Sequence, residues 1–262
     1  MLRVDRLSAG YGEVGVLHDV TLRVGAGEVV TVTGRNGAGK TTLLPTIMGL
    51  HTGSAGCVEL RGADITGLPA HQRARLGLGW VPDDRGVYAT LTVTECLTLP
   101  PVFGPHAWPL RRIFRTFPAL YARRTSRANM LSGGEQQMLA LARVLRMGSS
   151  VVLCDEPTEG LGPLVRAQVG AILREAKASG ITVLLVEQDL RFATTVAAAL
   201  RARRGPHRGC PGQHRGALAR AGTPQLPRPM SVRPTTTSQP APPDAARCPR
   251  VQARSPGAAP RL

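Results

Sequence analysis

The protein has 262 residues and a mass of 27.7 kDa, which fits one large domain or one domain with extensions. Aromatic residues make up 3%, which argues against an aromatic-rich nucleic-acid platform. The net charge of +16 is uneven, because residues 197–262 hold 12 Arg, no Lys, no Glu and one Asp and carry +11, which leaves +5 for residues 1–196. The high isoelectric point therefore arises mainly from residues 197–262 and not from the domain that precedes them.

Five cysteines are spread through the sequence. Their number is odd, their spacing is wide and no CxxC pair occurs, so a disulfide framework or a zinc site is not expected and a reducing cytoplasm is favoured. The N-terminus has no apolar signal segment, and no apolar run approaches the roughly 20 residues that a bilayer span needs. If the protein works at a membrane, another chain must cross it.

The N-terminal half predicts two kinds of sheet. Alternating runs in the first 28 residues and in residues 56–66 predict a small antiparallel sheet. Residues Glu28–Thr33 form a β-branched run that ends at a glycine, which predicts a short buried strand, and a helix is predicted over Lys40–Leu50. Prolines and arginines in residues 90–130 indicate a mainly helical insert with loops, which we place at about residues 90–147.

The C-terminal half predicts a strand–helix–strand unit. Residues Val151–Cys154 and Ile181–Val186 read as buried strands, and apolar residues recur between them at helical spacing. Pro163 suits the first turn of that helix and Gly180 suits its C′ position. This order implies a crossover connection and a parallel sheet. After Val196 the sequence shows neither helical nor strand periodicity. We therefore predict that residues 197–262, which hold 12 of the 22 prolines, are disordered.

A glycine-rich loop follows the first buried strand. Residues 34–41 (GRNGAGKT) fit the pattern GxxxxGK[ST], between a strand and a helix, as a phosphate-binding loop requires. The glycines allow backbone N–H groups to point into one concavity, Lys40 can reach the β and γ phosphates, and the Thr41 hydroxyl can ligate Mg²⁺. The alternative is a turn that only joins strand to helix.

Two acidic residues end the second buried strand. Asp155 is predicted to hold the Mg²⁺ shell, and Glu156 to polarise the attacking water and accept its proton. On its own this pair could equally be a helix-capping turn.

A third motif lies between these two. In Leu131–Gln137 (LSGGEQQ), Ser132 can cap the following helix with Glu135 at N3, and two glycines at the helix start allow an anion to approach closely. The pattern alone could be an ordinary capped helix. The phosphate loop, this anion-ready helix start and the acidic pair, in that order, are hard to obtain by accident.

At this point the sequence resembles the ABC-type ATPases, the nucleotide-binding subunits of ATP-driven transporters. The resemblance rests on a Walker A loop, an LSGGQ-like signature, a Walker B strand, a D-loop (Glu159–Pro163) and a switch residue (Gln188). The stretches Leu131–Leu141, Asp155–Pro163 (DEPTEGLGP) and Leu184–Gln188 (LLVEQ) are similar to LivF-type subunits of branched-chain amino acid importers. The resemblance covers about residues 1–196. The ATP-binding subunits of urea and amide importers contain similar sequence stretches.

The resemblance implies an α/β P-loop NTPase fold with a mixed sheet core, a small antiparallel subdomain, a helical insert and a disordered tail. It also implies ATP and Mg²⁺ as cofactors and a set of site residues. Catalytic roles fall to Glu156, Gln188 and Asp83, and metal binding to Thr41 and Asp155. The remaining nucleotide-binding positions are Tyr11, which would stack on adenine, and Gly34, Asn36, Gly37, Gly39, Lys40, Thr41, Thr42, Ser132, Gly133 and Gly134.

The family also implies an assembly at the cytoplasmic face of the membrane. Two ATP-binding subunits, identical or related, face each other head to tail, so that each ATP lies between Lys40 of one chain and Ser132–Gly134 of the other. Closure of the pair would drive two membrane permeases, which are served by a periplasmic solute-binding protein. No specific nucleic acid is expected.

Three features depart from the family pattern. Asp83 stands where Gln or Glu is usual and is one methylene shorter than Glu. Pro45 lies inside the first helix, where a kink or a shortened first turn is expected. Residues 197–262 look like translation of a GC-rich gene in a wrong frame, so that the last sheet elements would be missing.

Two other interpretations of the chain stay open. The +11 tail suggests a non-transport ABC ATPase that acts on nucleic acid, although such proteins usually carry two cassettes and this sequence has one. A solvated tail without function is the simpler interpretation. The chain could also be an inactive pseudo-subunit that folds poorly.

Overall fold

The computed structural model describes residues 1–34 and 37–196, and the backbone of residues 199–202. Its strands are β1 (Leu2–Tyr11), β2 (Val14–Val24), β3 (Val29–Thr33), β4 (Gly53–Leu60), β5 (Ala63–Asp64), β6 (Leu78–Val81), β7 (Val151–Asp155), β8 (Thr182–Glu187) and β9 (Ala199–Ala202). Its helices are α1 (Lys40–Met48), α2 (Ala70–Arg75), α3 (Val93–Thr98), α4 (Leu110–Thr116), α5 (Pro118–Ala122), α6 (Gly133–Met147), α7 (Pro163–Ala178) and α8 (Leu190–Val196).

Two sheets organise the described part of the chain. An antiparallel sheet has the order β2-β1-β4-β5, and a parallel sheet has the order β6-β7-β8-β3-β9. The antiparallel sheet confirms the prediction from the first 28 residues and residues 56–66. The mixed α/β architecture is confirmed as well, with antiparallel and parallel strands in separate sheets.

The parallel sheet carries a hydrophobic cluster on each face. Residues of β7 alternate between the two clusters, so that Val152 and Cys154 pack with α6 and α7, whereas Val151 and Leu153 pack with α1 and the antiparallel sheet. Strands buried on both faces read as continuous apolar runs, which is why β3, β7 and β8 could be found without alternation. The carboxyl ends of these strands meet at one edge, where the polar loops lie.

The crossover helix between β7 and β8 confirms the predicted unit. α7 begins with Pro163 at its first helical position and ends at Ala178, and Gly180 follows with a left-handed φ of 83°. Helix α1 also begins as predicted, at Lys40. The expected shortening of its first turn by Pro45 is wrong, because α1 continues unbroken to Met48. Beyond Pro45 the Thr46 hydroxyl donates to the carbonyl of Thr42, at 2.6 Å.

The insert between β6 and β7 is helical, as predicted. It contains α3, α4, α5, a 3-10 turn over Ala128–Met130, and α6. Trp108, Ile113, Phe117 and Leu120 are buried and pack in the same hydrophobic cluster as the inner side of α6. The insert therefore holds the beginning of α6 at a fixed place on the body of the protein.

One strand lies inside the segment for which we predicted disorder. β9 runs parallel to β3 and pairs Val30 with Ala199 and Thr33 with Ala202, so the prediction of an irregular chain from residue 197 is wrong for these four residues. A strand this short needs only an open sheet edge to bond to, and composition does not reveal such an edge. The predictions for residues 203–262 lie outside the described residues. Within the described residues, no helix combines the length and the hydrophobicity that a membrane crossing requires.

Candidate functional site

The phosphate loop joins β3 to α1 at the carboxyl edge of the parallel sheet. Gly37 and Gly39 adopt left-handed φ angles of 77° and 79°, which a residue with a side chain adopts only with strain. Space is open where a Cβ of Gly37 would lie. The loop residue Asn36, together with its neighbour Arg35, lies outside the described residues. The observed part of the loop has the backbone that lets N–H groups turn toward an anion.

Lys40, the first residue of α1, points back into this loop. Its Nζ donates to the carbonyl oxygen of Gly34 at 2.8 Å and lies 3.2 Å from Oε1 of Glu156. Both Lys40 and Glu156 are buried, with 4% and 9% of their surface exposed. The two residues that the sequence assigned to phosphate binding and to water activation are therefore in direct contact.

Glu156 is held by its backbone and by two side chains. It follows β7 with a left-handed φ of 41°, which is strained for a residue with a side chain, and its N–H donates to the carbonyl of Val186 at 2.9 Å. Its Oε2 accepts a hydrogen bond of 2.6 Å from Nε2 of Gln188, just beyond β8. The carboxylate is thereby fixed at the strand edge between Lys40 and Gln188.

Asp155, the last residue of β7, has an unusual protonation equilibrium. Burial, and then the nearby carboxylates of Asp83 and Glu156, raise the pKa of Asp155 to about 7, although Lys40 opposes the change. Its Oδ1 is buried and has no hydrogen-bond partner among the described residues. This buried carboxylate oxygen and the exposed hydroxyl of Thr41, at the start of α1, are both oxygen ligands of the kind that Mg²⁺ takes.

The loop after β6 carries Asp83 toward this acidic group. Asp83 is exposed, its Oδ1 accepts from the backbone N–H of Asp84 at 2.8 Å, and its charge is the second cause of the raised pKa of Asp155. Glu159 is close as well, since its hydrogen bond with Glu156 raises the pKa of Glu159. Four carboxylates thus lie around one lysine at the end of the sheet.

The signature motif forms the predicted capping box. Oγ of Ser132 accepts from the N–H of Glu135 at 3.3 Å, and the N–H of Ser132 donates to Oε2 of Glu135 at 2.8 Å. A Cβ at Gly133 would lie 3.0 Å from the guanidinium of Arg85, and a Cβ at Gly134 would lie 3.1 Å from Val165. Glycine at these positions therefore lets the start of α6 lie close to two neighbouring segments.

Tyr11 ends β1 with an accessible ring. The side chain is 57% exposed, and its ring centroid lies 4.5 Å from that of His51, with the planes inclined by 33°. The His51 ring is itself tied by Nε2 to the carbonyl of Gly10 at 2.9 Å. The exposed part of the Tyr11 ring remains available to a flat ligand.

The structure also shows contacts that the motifs did not predict. Thr158 donates its hydroxyl to Oε1 of the buried Glu187 at 2.7 Å, and Arg166 donates to Oδ2 of Asp189 at 3.1 Å. Burial raises the pKa of Glu187 against the effect of its hydrogen bonds. These pairs join the residues on either side of the D-loop to the segment that carries Gln188, and residues of both segments line a cavity of about 160 Å³. The only signal in the sequence was the polar residues beside the two motifs.

A comparison with protein families decides which class this site belongs to. Residues 17–159 match the family model described as "ABC transporter". The protein belongs to the ABC transporter family.

Relatives of this ABC ATPase agree with the resemblance found in the sequence. It is 38% identical over 200 residues to the high-affinity branched-chain amino acid transport ATP-binding protein BraG of Pseudomonas aeruginosa, covering 75% of this chain and 86% of that protein. It is 39% identical to the probable branched-chain amino acid transport ATP-binding protein LivF of Archaeoglobus fulgidus, covering 75% and 85%. The lipopolysaccharide export ATP-binding protein LptB of Acidithiobacillus ferridurans is 35% identical over 198 residues, covering 73% and 81%.

Solved structures share the fold of this ABC ATPase. An ATP-binding subunit of an ABC transporter is similar with a TM-score of 0.66 and 30% identity, covering 77% of this chain and 85% of that chain. A dimeric bacterial ABC transporter cassette is similar with a TM-score of 0.67 and 25% identity, covering 78% and 95%. The predicted fold and the assignment as an ATP-binding ABC ATPase are confirmed, whereas the roles of individual site residues stay predictions.

Proposed function

We propose that this ABC ATPase hydrolyses Mg-ATP at the site around Lys40 and Glu156 and thereby powers the import of branched-chain or other small neutral amino acids. The contact of Lys40, Glu156 and Gln188 carries the chemical part of the proposal, because it assembles a phosphate-binding cation, a base and a positioning amide at one strand edge. The similarity to BraG and LivF over most of their length supports the solute class.

In the proposed reaction the chain binds the nucleotide through its own groups. The loop of Gly34, Asn36, Gly37 and Gly39 receives the phosphates with Lys40 and Thr42, and the Tyr11 ring stacks on adenine. Thr41 and Asp155 would hold Mg²⁺, which would supply charge stabilisation to the phosphates. When phosphate binds Lys40, the Glu156 carboxylate is released to orient a water and accept its proton. Asp83 and Gln188 border the γ-phosphate, where Gln188 acts by hydrogen bonding because an amide cannot become cationic.

We also propose that the site is completed by a second ATP-binding subunit. Within the described residues, the atoms nearest a Cβ built on Gly133 or Gly134 belong to Arg85 and Val165, and none of these atoms belongs to the phosphate loop. A head-to-tail partner would present Ser132–Gly134 to the γ-phosphate bound at Lys40. The partners beyond this pair are membrane permeases, with a periplasmic solute-binding protein acting through them, and the subunit is placed at the cytoplasmic face of the membrane.

The first test measures hydrolysis by the full chain. We expect Mg-dependent ATPase activity that rises more steeply than linearly with protein concentration, because two chains complete each site, and that is lost in Lys40→Ala. Arg75→Ala, at an exposed arginine of α2, is the control. A parental protein without ATPase activity and without affinity for Mg-ATP would contradict the proposal.

The second test identifies the solute. The chain is expressed with permeases and binding proteins encoded beside its gene, and uptake of labelled leucine, an amide and urea is compared with the Lys40→Ala variant. Leucine uptake that depends on Lys40 is expected. Uptake of urea or the amide alone would reassign the importer class, and activity only with lipopolysaccharide export components would favour an export function like that of LptB.

A further inference from the structure

Tyr11, which we propose to stack on adenine, lies at an exposed end of the antiparallel sheet. It is the last residue of β1 and pairs with Val14, the first residue of β2, and residues 11–15 are all exposed. Packing in the hydrophobic core therefore does not fix the direction of the Tyr11 ring. A side chain that moves freely loses that freedom when a ligand binds to it, and this loss lowers the affinity.

His51 packs against the Tyr11 ring. The centroids of the two rings lie 4.5 Å apart and their planes are inclined by 33°, which is within the range of favourable aromatic contacts. His51 is half-buried, whereas Tyr11 is exposed. The imidazole therefore supports the tyrosine ring from the protein side and leaves its exposed part to a ligand.

The imidazole of His51 is itself fixed by a hydrogen bond. Its Nε2 lies 2.9 Å from the carbonyl oxygen of Gly10, the residue before Tyr11 in β1. A carbonyl oxygen can only accept, so Nε2 carries the proton and donates it to this bond. His51 thus contacts both the backbone and the terminal ring at the end of one strand.

The backbone of His51 is attached to the end of the phosphate-loop helix. The N–H groups of Leu50 and His51 donate to the carbonyl of Pro45 at 2.9 and 3.3 Å. These bonds close the last turn of α1, which ends at Gly49 with a left-handed φ of 80°. The same helix begins with Lys40 at the phosphate site. His51 therefore connects the helix that starts at the phosphate site to the ring that is proposed to bind the base.

We propose that His51 is a positioning residue for nucleotide binding, which holds the Tyr11 ring in the orientation that accepts adenine while the phosphates lie at the start of α1. The proposal rests on the proposed stacking of adenine on Tyr11. It extends base recognition to a residue that lies outside the motifs found in the sequence. The base, the Tyr11 ring and the His51 ring would form three successive layers.

Titration of the full chain with two ligands tests the proposal. Mg-ADP carries the base and the phosphates, whereas Mg-pyrophosphate carries the phosphates alone. We expect His51→Ala to bind Mg-ADP roughly three- to tenfold more weakly, because the Tyr11 ring must then be ordered on binding. The affinity for Mg-pyrophosphate should stay within about twofold, because the phosphate loop is remote from the substitution.

The two ligands also distinguish positioning from a purely structural role. An equal loss for Mg-ADP and Mg-pyrophosphate in His51→Ala would mean that α1 is disturbed, and it would overturn the proposal. His71→Ala, at an exposed histidine of α2, is the control and should bind both ligands as the parental protein does.

Two further substitutions separate the ring from the hydrogen bond. His51→Phe keeps an aromatic ring without an N–H donor and should recover most of the Mg-ADP affinity that His51→Ala loses. His51→Gln keeps a donor without a ring and should bind Mg-ADP as weakly as His51→Ala. The reverse order would overturn the proposal, because the ring contact would then not be what matters. If His51→Ala fails to fold, His51→Phe and His51→Gln carry the test.

A double variant shows whether His51 acts through Tyr11. Tyr11→Ala is expected to weaken Mg-ADP binding roughly tenfold or more, because stacking is lost. Tyr11→Ala/His51→Ala should bind Mg-ADP no more weakly than Tyr11→Ala, since the ring that His51 positions is already absent. In ATPase assays, His51→Ala should raise KM and leave kcat unchanged.

The outcomes separate this proposal from the one on which it rests. A further loss of Mg-ADP affinity in the double variant, or parental affinity in His51→Ala beside a weakened Tyr11→Ala, would overturn the role of His51. Parental Mg-ADP affinity in Tyr11→Ala would instead overturn the proposed stacking of adenine, so the two failures are distinguishable.

Discussion

The ammonium group of Lys40 lies 3.2 Å from Oε1 of Glu156, and both side chains are buried. The group that we propose to bind phosphate and the group that we propose to activate water therefore neutralise each other. In the proposed reaction, phosphate displaces the carboxylate from the lysine before hydrolysis begins. The exchange of one anion for another leaves Lys40 paired in both states.

Glu156→Gln separates binding from catalysis. The neutral amide no longer competes with phosphate for Lys40, so we expect ADP to bind roughly three- to tenfold more tightly, which corresponds to about 0.7–1.4 kcal/mol. Hydrolysis should fall by about 100-fold or more because the base is lost. Calorimetric titration with ADP measures the affinity, and Asp19→Asn, which removes a carboxylate charge at an exposed position of β2, is the control. Weaker ADP binding in Glu156→Gln would contradict the competition.

Gln188→Ala tests the amide that holds Glu156. The 2.6 Å hydrogen bond from Gln188 Nε2 is removed, so the carboxylate loses its fixed orientation. We expect kcat to fall roughly 10- to 100-fold, with ADP affinity little changed, as measured by steady-state ATPase assays and titration. Gln188→His restores a ring N–H donor and should recover part of the rate. Parental kcat in Gln188→Ala would exclude a positioning role for this residue.

The stability of the nucleotide-free protein should fall as the pH rises. The pKa of Asp155 is raised to about 7, so the folded protein holds this proton more tightly than the unfolded chain. The free energy of unfolding therefore decreases between about pH 4 and about pH 7 and is constant above pH 7. The decrease is at most about 1.4 kcal/mol for each unit by which the pKa of Asp155 differs between the folded and the unfolded protein.

Asp155→Asn removes this titration. The difference between the free energies of unfolding at pH 5 and pH 8, measured with urea, should therefore become smaller. The slope should decrease without vanishing, because burial raises the pKa of Glu187 in the same direction. Asp19→Asn makes the same chemical change at an exposed position of β2 and should leave the slope as it is. An Asp155→Asn protein with the parental slope would show that another group dominates.

Arg73→Met tests the end of the phosphate-loop helix. Arg73 is buried, and its guanidinium donates to the carbonyls of Thr46 and Ile47 at the end of α1, and to those of Thr66 and Leu68. Methionine removes the guanidinium donors from these four carbonyls, of which that of Thr46 keeps the N–H of Gly49 as a donor. We therefore expect a loss of about 3 kcal/mol and a Tm lower by roughly 6–12 °C. Calorimetry measures the change. Arg75→Met, two residues away and exposed, should change the Tm by less than about 2 °C.

Local motifs predicted the elements that form the site, because each motif contains, within a few residues, both the signals for a strand end or a helix start and the functional side chains. The glycine loop, the capping box of α6 and the acids at the end of β7 all follow from residues close together in the sequence. The strand–helix–strand unit was predictable for the same reason, since Pro163 and Gly180 mark the two ends of α7.

Contacts across the sequence were not predictable in the same way. The pairs Arg85–Gln136 and Thr158–Glu187 join residues 51 and 29 positions apart, and no single motif contains both partners. Pro45 was expected to kink α1 or to shorten its first turn, yet the helix is buried and continues through Pro45 to Met48. β9 depends on the open edge of β3, which is a property of the sheet and not of the four residues that pair with it.

The capping box and the proposed phosphate contact both depend on the hydroxyl of Ser132. Its oxygen serves as the acceptor for the N–H of Glu135, so its hydrogen stays available to an incoming oxyanion. Substitution by alanine would weaken the helix and the ligand contact together, and the two losses would be confounded. Aspartate at position 132 would keep the acceptor while repelling the anion. A comparison of the two variants therefore separates the effect of Ser132 on the helix from its effect on anion binding.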